Sequence, residues 1–598
     1  MMKQMMFARY YTLCVAVSML LFFGGMPFFC FAEEIIYHAS YPSATRERID
    51  EAYRVALPPP TVADPVRAVI VNHHLLAPEL IARVMRSVES ERIKRVILIS
   101  PDHFSAGTKR ISTSPRAWHT PYGDLAADAP FIEMLARAGV ANNDPAPFSG
   151  EHGISGIVPF VKKSFPHSSI VPIIIKDTAR DRAIDALARY LAEHTADDTV
   201  VIGSFDFSHY LPLQIADFHD QKSLEVIRNF DYEGMRVLDI DSRTGLRVVT
   251  KFAQQRGARS FELFDHTNSA RVTGRLDVTD TTSYINGVFT AMPPSADTAV
   301  TLLALGDIML DRGVRMAMDT HGAGYPFKKI ERFLAGSDIL VANLEGPITD
   351  NTPRSVAAHS FTFTFSPSVV ALLKRLGFSL FSLANNHTLN FGKKGLSHTK
   401  SYLKEGKIDY FGDPQNTQDT SKVVDVRGVR IGFIGFHGLV SGGKPTIIKE
   451  IKKIRESTDT VIVYPHWGNE YQPFFSKRQQ EDAHAFIDAG ADIVIGAHPH
   501  VIQPMEVYKG RAIFYSLGNF VFDQTFSKET QQGLAVGIII TKDRYSFTIV
   551  PIMSVALQAR IMSTAKKKNL LAWLARKSET AKELKKQIEN GSMVLLRN

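Results

Sequence analysis

The feature that most constrains this chain is a repeated unit, a short apolar, β-branched run that stops at a polar tip. Its clearest case is Ala491-Asp492-Ile493-Val494-Ile495 running into Gly496-Ala497-His498-Pro499-His500. Such a run, bounded by glycine, reads as a buried strand, and histidines at i and i+2 project to one side while the backbone stays extended. Alone, the pair fits either metal ligation or ordinary loop hydrogen bonding. The same design recurs at Leu302-Leu303-Ala304-Leu305-Gly306-Asp307, at Ile339-Leu340-Val341-Ala342-Asn343-Leu344-Glu345, at 378–384 leading into Asn385-Asn386-His387, and at Val461-Ile462-Val463-Tyr464-Pro465-His466. Ligand-type side chains at the carboxyl ends of several strands are where an open α/β sheet builds its site. The recurrence favours ligation.

At 598 residues the chain exceeds one core, and 45% hydrophobic with 22% charged residues is ordinary for folded domains. The net charge of +8 reads as a solvated basic surface; no nucleic-acid module is recognisable, so nucleic acid is not an expected partner. Lys3 and Arg9 precede an apolar stretch, 11–31, that ends in Cys30-Phe31-Ala32, the layout of a secretory signal peptide over 1–32. Cleavage after Ala32 would place the mature chain outside the cytoplasm. The alternative is an uncleaved membrane anchor, because the stretch approaches the length of a span. Cys14 and Cys30 both fall in this segment. A mature chain without thiols must hold any metal with histidine, asparagine and carboxylates.

A polar, Pro-rich lead, 33–59, is expected to be irregular apart from a short helix at 46–55. The first domain, 60–290, has strand patterns at 67–71, 95–99, 169–175 and 199–203, with helical patterns at 78–89 and 179–193 between them. This βα alternation predicts a largely parallel sheet. Polar residues again gather at strand ends, in Asn72-His73-His74, Ser100-Pro101-Asp102-His103 and 204–210, with Glu151-His152 on a loop. The order of His73, Pro101-Asp102-His103-Phe104, Gly150-Glu151-His152-Gly153 and Asp206-Phe207-Ser208-His209-Tyr210 resembles the MEMO family, also called AmmeMemoRadiSam system protein B. That family is similar in fold to LigB-type extradiol dioxygenases, so the resemblance implies an iron site at His73 and His103. Some members add a late cysteine; the corresponding stretch here, 267–274, has none. The rival reading is a retained fold whose polar cleft binds a small molecule or peptide without chemistry.

A linker composition at 291–298 separates a second α/β domain, 299–555, with helical segments at 367–376, 394–405 and 476–489 and late strands at 533–541 and 545–552. The basic tail, 556–598, has a helical, amphipathic pattern and could lie on a membrane or pack on the second domain. Gly306-Asp307-Ile308-Met309-Leu310-Asp311-Arg312, Asn343-Leu344-Glu345-Gly346-Pro347, Ala384 to His387, His466-Trp467-Gly468, Gly496 to His500 and Ser516 to Phe520 together resemble the CapA-type, poly-γ-glutamate biosynthesis family. That family is similar to calcineurin-like metallophosphatases. Carried over by position, the resemblance assigns Asp307 and His500 to one metal and Asn386, His466 and His498 to another, with Glu345 as the bridging carboxylate and His387 as the acid. Metallophosphoesterases usually place a histidine two residues after the first aspartate; here that residue is Met309.

Carboxylates and histidines suit divalent Mn, Fe or Zn, and a pair of such ions about 3.5–4 Å apart clamps a phosphoryl group. Arg312 is expected either to hold a phosphate oxygen through its fork or to form a surface salt bridge. The expectation is two exported α/β domains, the second a hydrolase-like enzyme acting on a phosphoester or acidic polymer in cell-surface polyanion synthesis. A binding protein for such a polymer is the alternative.

Overall fold

Strands buried on both faces read as continuous apolar runs, and the four runs of the first half form the centre of one sheet. The computed structural model describes residues 37–62, 66–294, 298–350 and 360–597; the expected signal segment and residues 295–297 of the expected linker lie outside them. Ala68–Val71, Thr199–Ser204, Arg95–Pro101 and Ser169–Ile175 lie side by side in that order, all parallel. Their side chains alternate between two cores. Ile97 and Ile99 join the cluster containing helices Asp181–His194 and Arg243–Gln255, while Val96 and Leu98 join the one containing Arg46–Val55 and Pro78–Val88. Thr281–Thr290 and Ser260–Asn268 close one edge in antiparallel pairing.

The lead is not an irregular appendage. His38–Ala39 pairs with Trp118–His119, and the helix Arg46–Val55, capped by Thr45, buries Ile49, Ala52 and Tyr53 in the first domain's core.

The second half is a sandwich. One sheet runs Asp409–Phe411, Leu380–Ser382, Ile339–Leu344, Val300–Ile308, Gln532–Ile540, Arg544–Val555, Gln558–Ile561; the other runs Ser421–Val426, Val429–His437, Thr460–His466, Ile493–Ile495, Arg511–Phe514, Met505–Tyr508. Leu302, Ala304 and Val341 of the first meet Phe433, Ile462 and Ile493 of the second in the inner core, and helices cover both outer faces. The tail expected to be helical differs from that reading. Gln558–Ile561 and Ser592–Leu596 are strands paired with Arg544–Val555, and Leu571, Leu574 and Ile588 of the two helices between them are buried in the inner core. Its apolar stripe is thereby covered by protein. No helix among the described residues is long and apolar enough to cross a membrane.

The helix Leu213–Arg228 belongs to the first half in sequence but packs into the second half's outer core, where Ile215, Ala216 and Phe218 join Leu303, Leu305 and Val550. The approach is close: a Cβ at Gly336 would lie 1.7 Å from His219. Polar groups bridge the contact, with Lys222 Nζ donating to the Ser337 carbonyl at 2.8 Å and His219 Nε2 3.1 Å from the Phe333 carbonyl. Phe218→Ala should destabilise the protein by about 3–5 kcal/mol, as large-to-small changes of buried aromatics do. A urea unfolding curve checks this; a shift below about 1 kcal/mol would mean the contact is not made in solution.

Candidate metal centres

In the second domain the strand tips converge as the sequence pattern implies. Val300–Ile308 carries Asp307, Ile339–Leu344 carries Asn343 and leads to Glu345, and Thr460–His466 ends on His466. Asp307, Glu345 and His466 are buried, and their ligand atoms lie within 4.8 Å of one another. His498 and His500 arrive differently from expectation. Their strand stops at Ile495, and both take positive φ, +96° and +58°, so tight turns and not an extended backbone bring their rings to 5.9 Å. Gly496 makes this turn feasible, since a Cβ there would come 2.0 Å from the Tyr515 carbonyl.

His500 Nδ1 lies 3.3 Å from Asp307 Oδ2 and its Nε2 3.5 Å from Glu345 Oε1. His466 Nε2 lies 2.8 Å from Asn386 Oδ1, and the His466 and His498 ring centroids are 4.6 Å apart. All six proposed ligands are thus brought together. Asn343 Nδ2 donates to Asp307 Oδ1 at 2.8 Å and is itself anchored through its Oδ1 by Asn385 at 3.0 Å. Burial, and then Asp307, raises the Glu345 carboxyl well above its ordinary range. Burial pushes His466 well below its usual value and His498 to about 4. Neutral imidazoles are the ligating form, and two buried atoms, Glu345 Oε1 and His498 Nδ1, have no hydrogen-bond partner. These residues fit a divalent cation.

His387 is held beside this cluster. Phe363 stacks on its ring at 4.2 Å, Nδ1 lies 3.1 Å from Asn390 Oδ1, and Nε2 lies 3.9 Å from Glu345 Oε1. Burial lowers it to about 4, against the opposing Asn390 bond. Arg312 departs from both expectations. Its Nε donates to Asp523 Oδ2 at 3.2 Å, its Nη2 pairs with Oδ1, and its Nη1 reaches the Ser360 carbonyl, in a pair whose side chains are about nine-tenths buried. The fork expected to hold phosphate is committed to Asp523, and the pair is not at the surface. Met309 is buried, its sulfur accepting from the Asp311 N–H at 3.1 Å. Sequence reasoning missed Glu470, whose carboxylate groups with His498 and His500. Its signal was an acidic residue just past the turn at Gly468, where φ is +83°.

The first domain holds a second cluster. His73 Nε2 lies 3.2 Å from Asp241 Oδ2 and 3.5 Å from Asp206 Oδ2, and His103 Nε2 lies 3.7 Å from the same Asp241 oxygen. His103 Nδ1 is 2.6 Å from Glu151 Oε1, and His152 stacks on His103 at 4.0 Å. Burial lowers His73 to about 3. For His103, burial opposes charge, but hydrogen bonds to Asp241 and Glu151 outweigh it and raise the group to about 10. Two overlapping sets of ligand atoms lie within 4.8 Å of one another, His73 with His103 and His152, and His73 with Asp206 and Asp241, and Asp241 Oδ1 is buried and unpartnered. Imidazole and carboxylate donors of this kind suit iron and other divalent transition metals. Asp241 sits between helices, where no strand-tip pattern marks it.

The sandwich, with carboxylates, asparagines and histidines at its strand tips, defines a metallophosphatase-like domain, here joined to a separate α/β domain. Residues 301–524 match the family described as bacterial capsule synthesis protein PGA_cap, and residues 36–287 match Memo-like protein. The capsule biosynthesis protein CapA of Bacillus anthracis is 35% identical over 257 residues, 39% of this chain and 62% of that protein. The PGA biosynthesis protein CapA of Bacillus subtilis is 31% identical over 274 residues, 43% and 72% of the two chains. A MEMO1 family protein of Methanopyrus kandleri is 30% identical over 200 residues, 31% and 69%. The chain therefore belongs to the PGA_cap family through its second half and to the Memo-like family through its first.

Proposed function

We propose that the second domain is a metal-dependent hydrolase of phosphoester type that acts outside the cytoplasm in making or attaching a capsule or similar cell-surface polyanion. The observation that carries this reading is the buried convergence of Asp307, Glu345 and His466 with an unpartnered Glu345 Oε1. Asp307, Glu345, Asn386, His466, His498 and His500 would hold the metal. When bound, divalent Mn, Fe or Zn supplies Lewis acidity to a phosphoryl group and to the attacking water. Asn343, fixed by Asn385, orients the carboxylates. His387, whose Nδ1–H donates to Asn390 Oδ1, presents an Nε2 that accepts a proton and, once charged, can give it to the leaving group. The capsule role rests on the two CapA relatives, and export on the N-terminal pattern over 1–32. Hydrolysis of bis(p-nitrophenyl) phosphate by the full chain with Mn, lost on chelation, is the expected result; absence of turnover under any of the three metals refutes it.

A second reading, a metal-stabilised protein that holds an acidic polymer during export, is favoured by Met309 at the usual histidine position and by the engagement of Arg312 with Asp523. It requires oligoglutamate binding with no hydrolysis.

A further inference from the structure

A cavity of about 910 Å³ lies between the domains, and its walls come from both. At one end it is lined by His103 and Asp241, the exposed edge of the first domain's cluster, with His73 and Asp206 buried behind them. The facing wall belongs to the second domain and presents Lys328, Arg332 and Lys374. Lys328 and Lys374 are exposed; Lys374 Nζ donates to the Lys407 carbonyl at 2.7 Å, and Lys328 has no ion-pair partner among the described residues. Arg332 is fixed across the gap, donating to the His209 carbonyl at 2.8 Å with its guanidinium 5.1 Å from the Tyr210 ring. Tyr210 itself is 70% exposed in a left-handed backbone conformation, φ +56°. Such a conformation is costly for a bulky residue and is kept where surroundings enforce it.

The acidic groups of the wall are already matched. Glu331 pairs with Arg375, Asp338 with Arg427 at 2.7 Å, and Asp239 lies 3.2 Å from His219 Nδ1. Asp241 lies against His73 and His103. Cations without matching anions, in a concave site between domains, raise the local concentration of a negatively charged ligand. We infer that the first domain's centre is completed by the second domain, and that the cleft between them binds a small anion bearing a carboxylate or phosphate, held by Lys328, Arg332 and Lys374 with its far end at His103. This site is distinct from the phosphoester centre proposed above and does not depend on it.

The test is calorimetric titration of the full chain, stripped of metal with chelator and dialysed so that the second centre offers no cation. The probes are triglutamate and inorganic phosphate at low salt. At least one should bind, more weakly as salt is added, because exposed charges are screened. Lys328→Glu and Lys374→Glu should each weaken binding about tenfold, the scale of reversing one charge a few ångströms away in water. Lys449→Glu, an exposed lysine on the helix Lys444–Arg455 outside the cleft, should leave it unchanged. His103→Gln should also weaken binding, tying the cleft to the centre. Should either reversal fail to fold, Lys328→Ala gives the same reading at about threefold. Binding of only one probe identifies the ligand's acid group. No binding of either, or affinity unmoved by the cleft reversals, overturns the inference.

Discussion

His498→Ala combined with His500→Ala should strip the metal from the second domain and lower the melting temperature of the metal-loaded protein. Both histidines are buried in the cluster, and His500 reaches Asp307 and Glu345 at once, so the double change removes two ligands and leaves two carboxylates facing each other. A ligand that binds only the folded state stabilises it by mass action, about 2.7 kcal/mol when its free concentration is a hundredfold above Kd. Metal analysis beside thermal melts with and without added Mn measures both effects. Unchanged metal content in the double variant would sink the centre.

His387→Ala should keep its metal and lose at least about a hundredfold in kcat, the lower end of what a general acid or base contributes. The reason is geometric. His387 stacks on Phe363 and stands 3.9 Å from Glu345, beside the ligand cluster, whereas Asn386 touches His466 directly. Asn386→Ala should therefore lose metal affinity along with rate. Loss of metal in His387→Ala makes His387 a ligand; loss of neither metal nor rate makes it structural.

Much of this was legible because strand tips are local patterns. Asp307, Glu345, His466 and the 498–500 turn all follow apolar runs, and packing such runs in parallel brings their carboxyl ends together. Residues whose roles depend on distant partners were not legible. Arg312 has its partner 211 residues away at Asp523, and Asp241 reaches His73 from a loop between helices. The tail misled for a different reason. Ser592–Leu596 does alternate buried Met593 and Leu595 with exposed Val594 and Leu596, but five residues following a lysine-rich helix are outweighed by its periodicity. The lead's helix was visible, but its burial was not, because a helix of mostly polar residues can still bury Ile49, Ala52 and Tyr53 when the sheet supplies the surface.

The helix Leu213–Arg228 also bears on how the two halves came to share one gene. It is encoded with the first domain yet forms part of the wall of the second, so neither half carries all the surface it needs. Dividing the chain at the linker would leave one product exposing Phe218 and the other lacking its cover. The join between the domains is thus a shared piece of architecture rather than a tether.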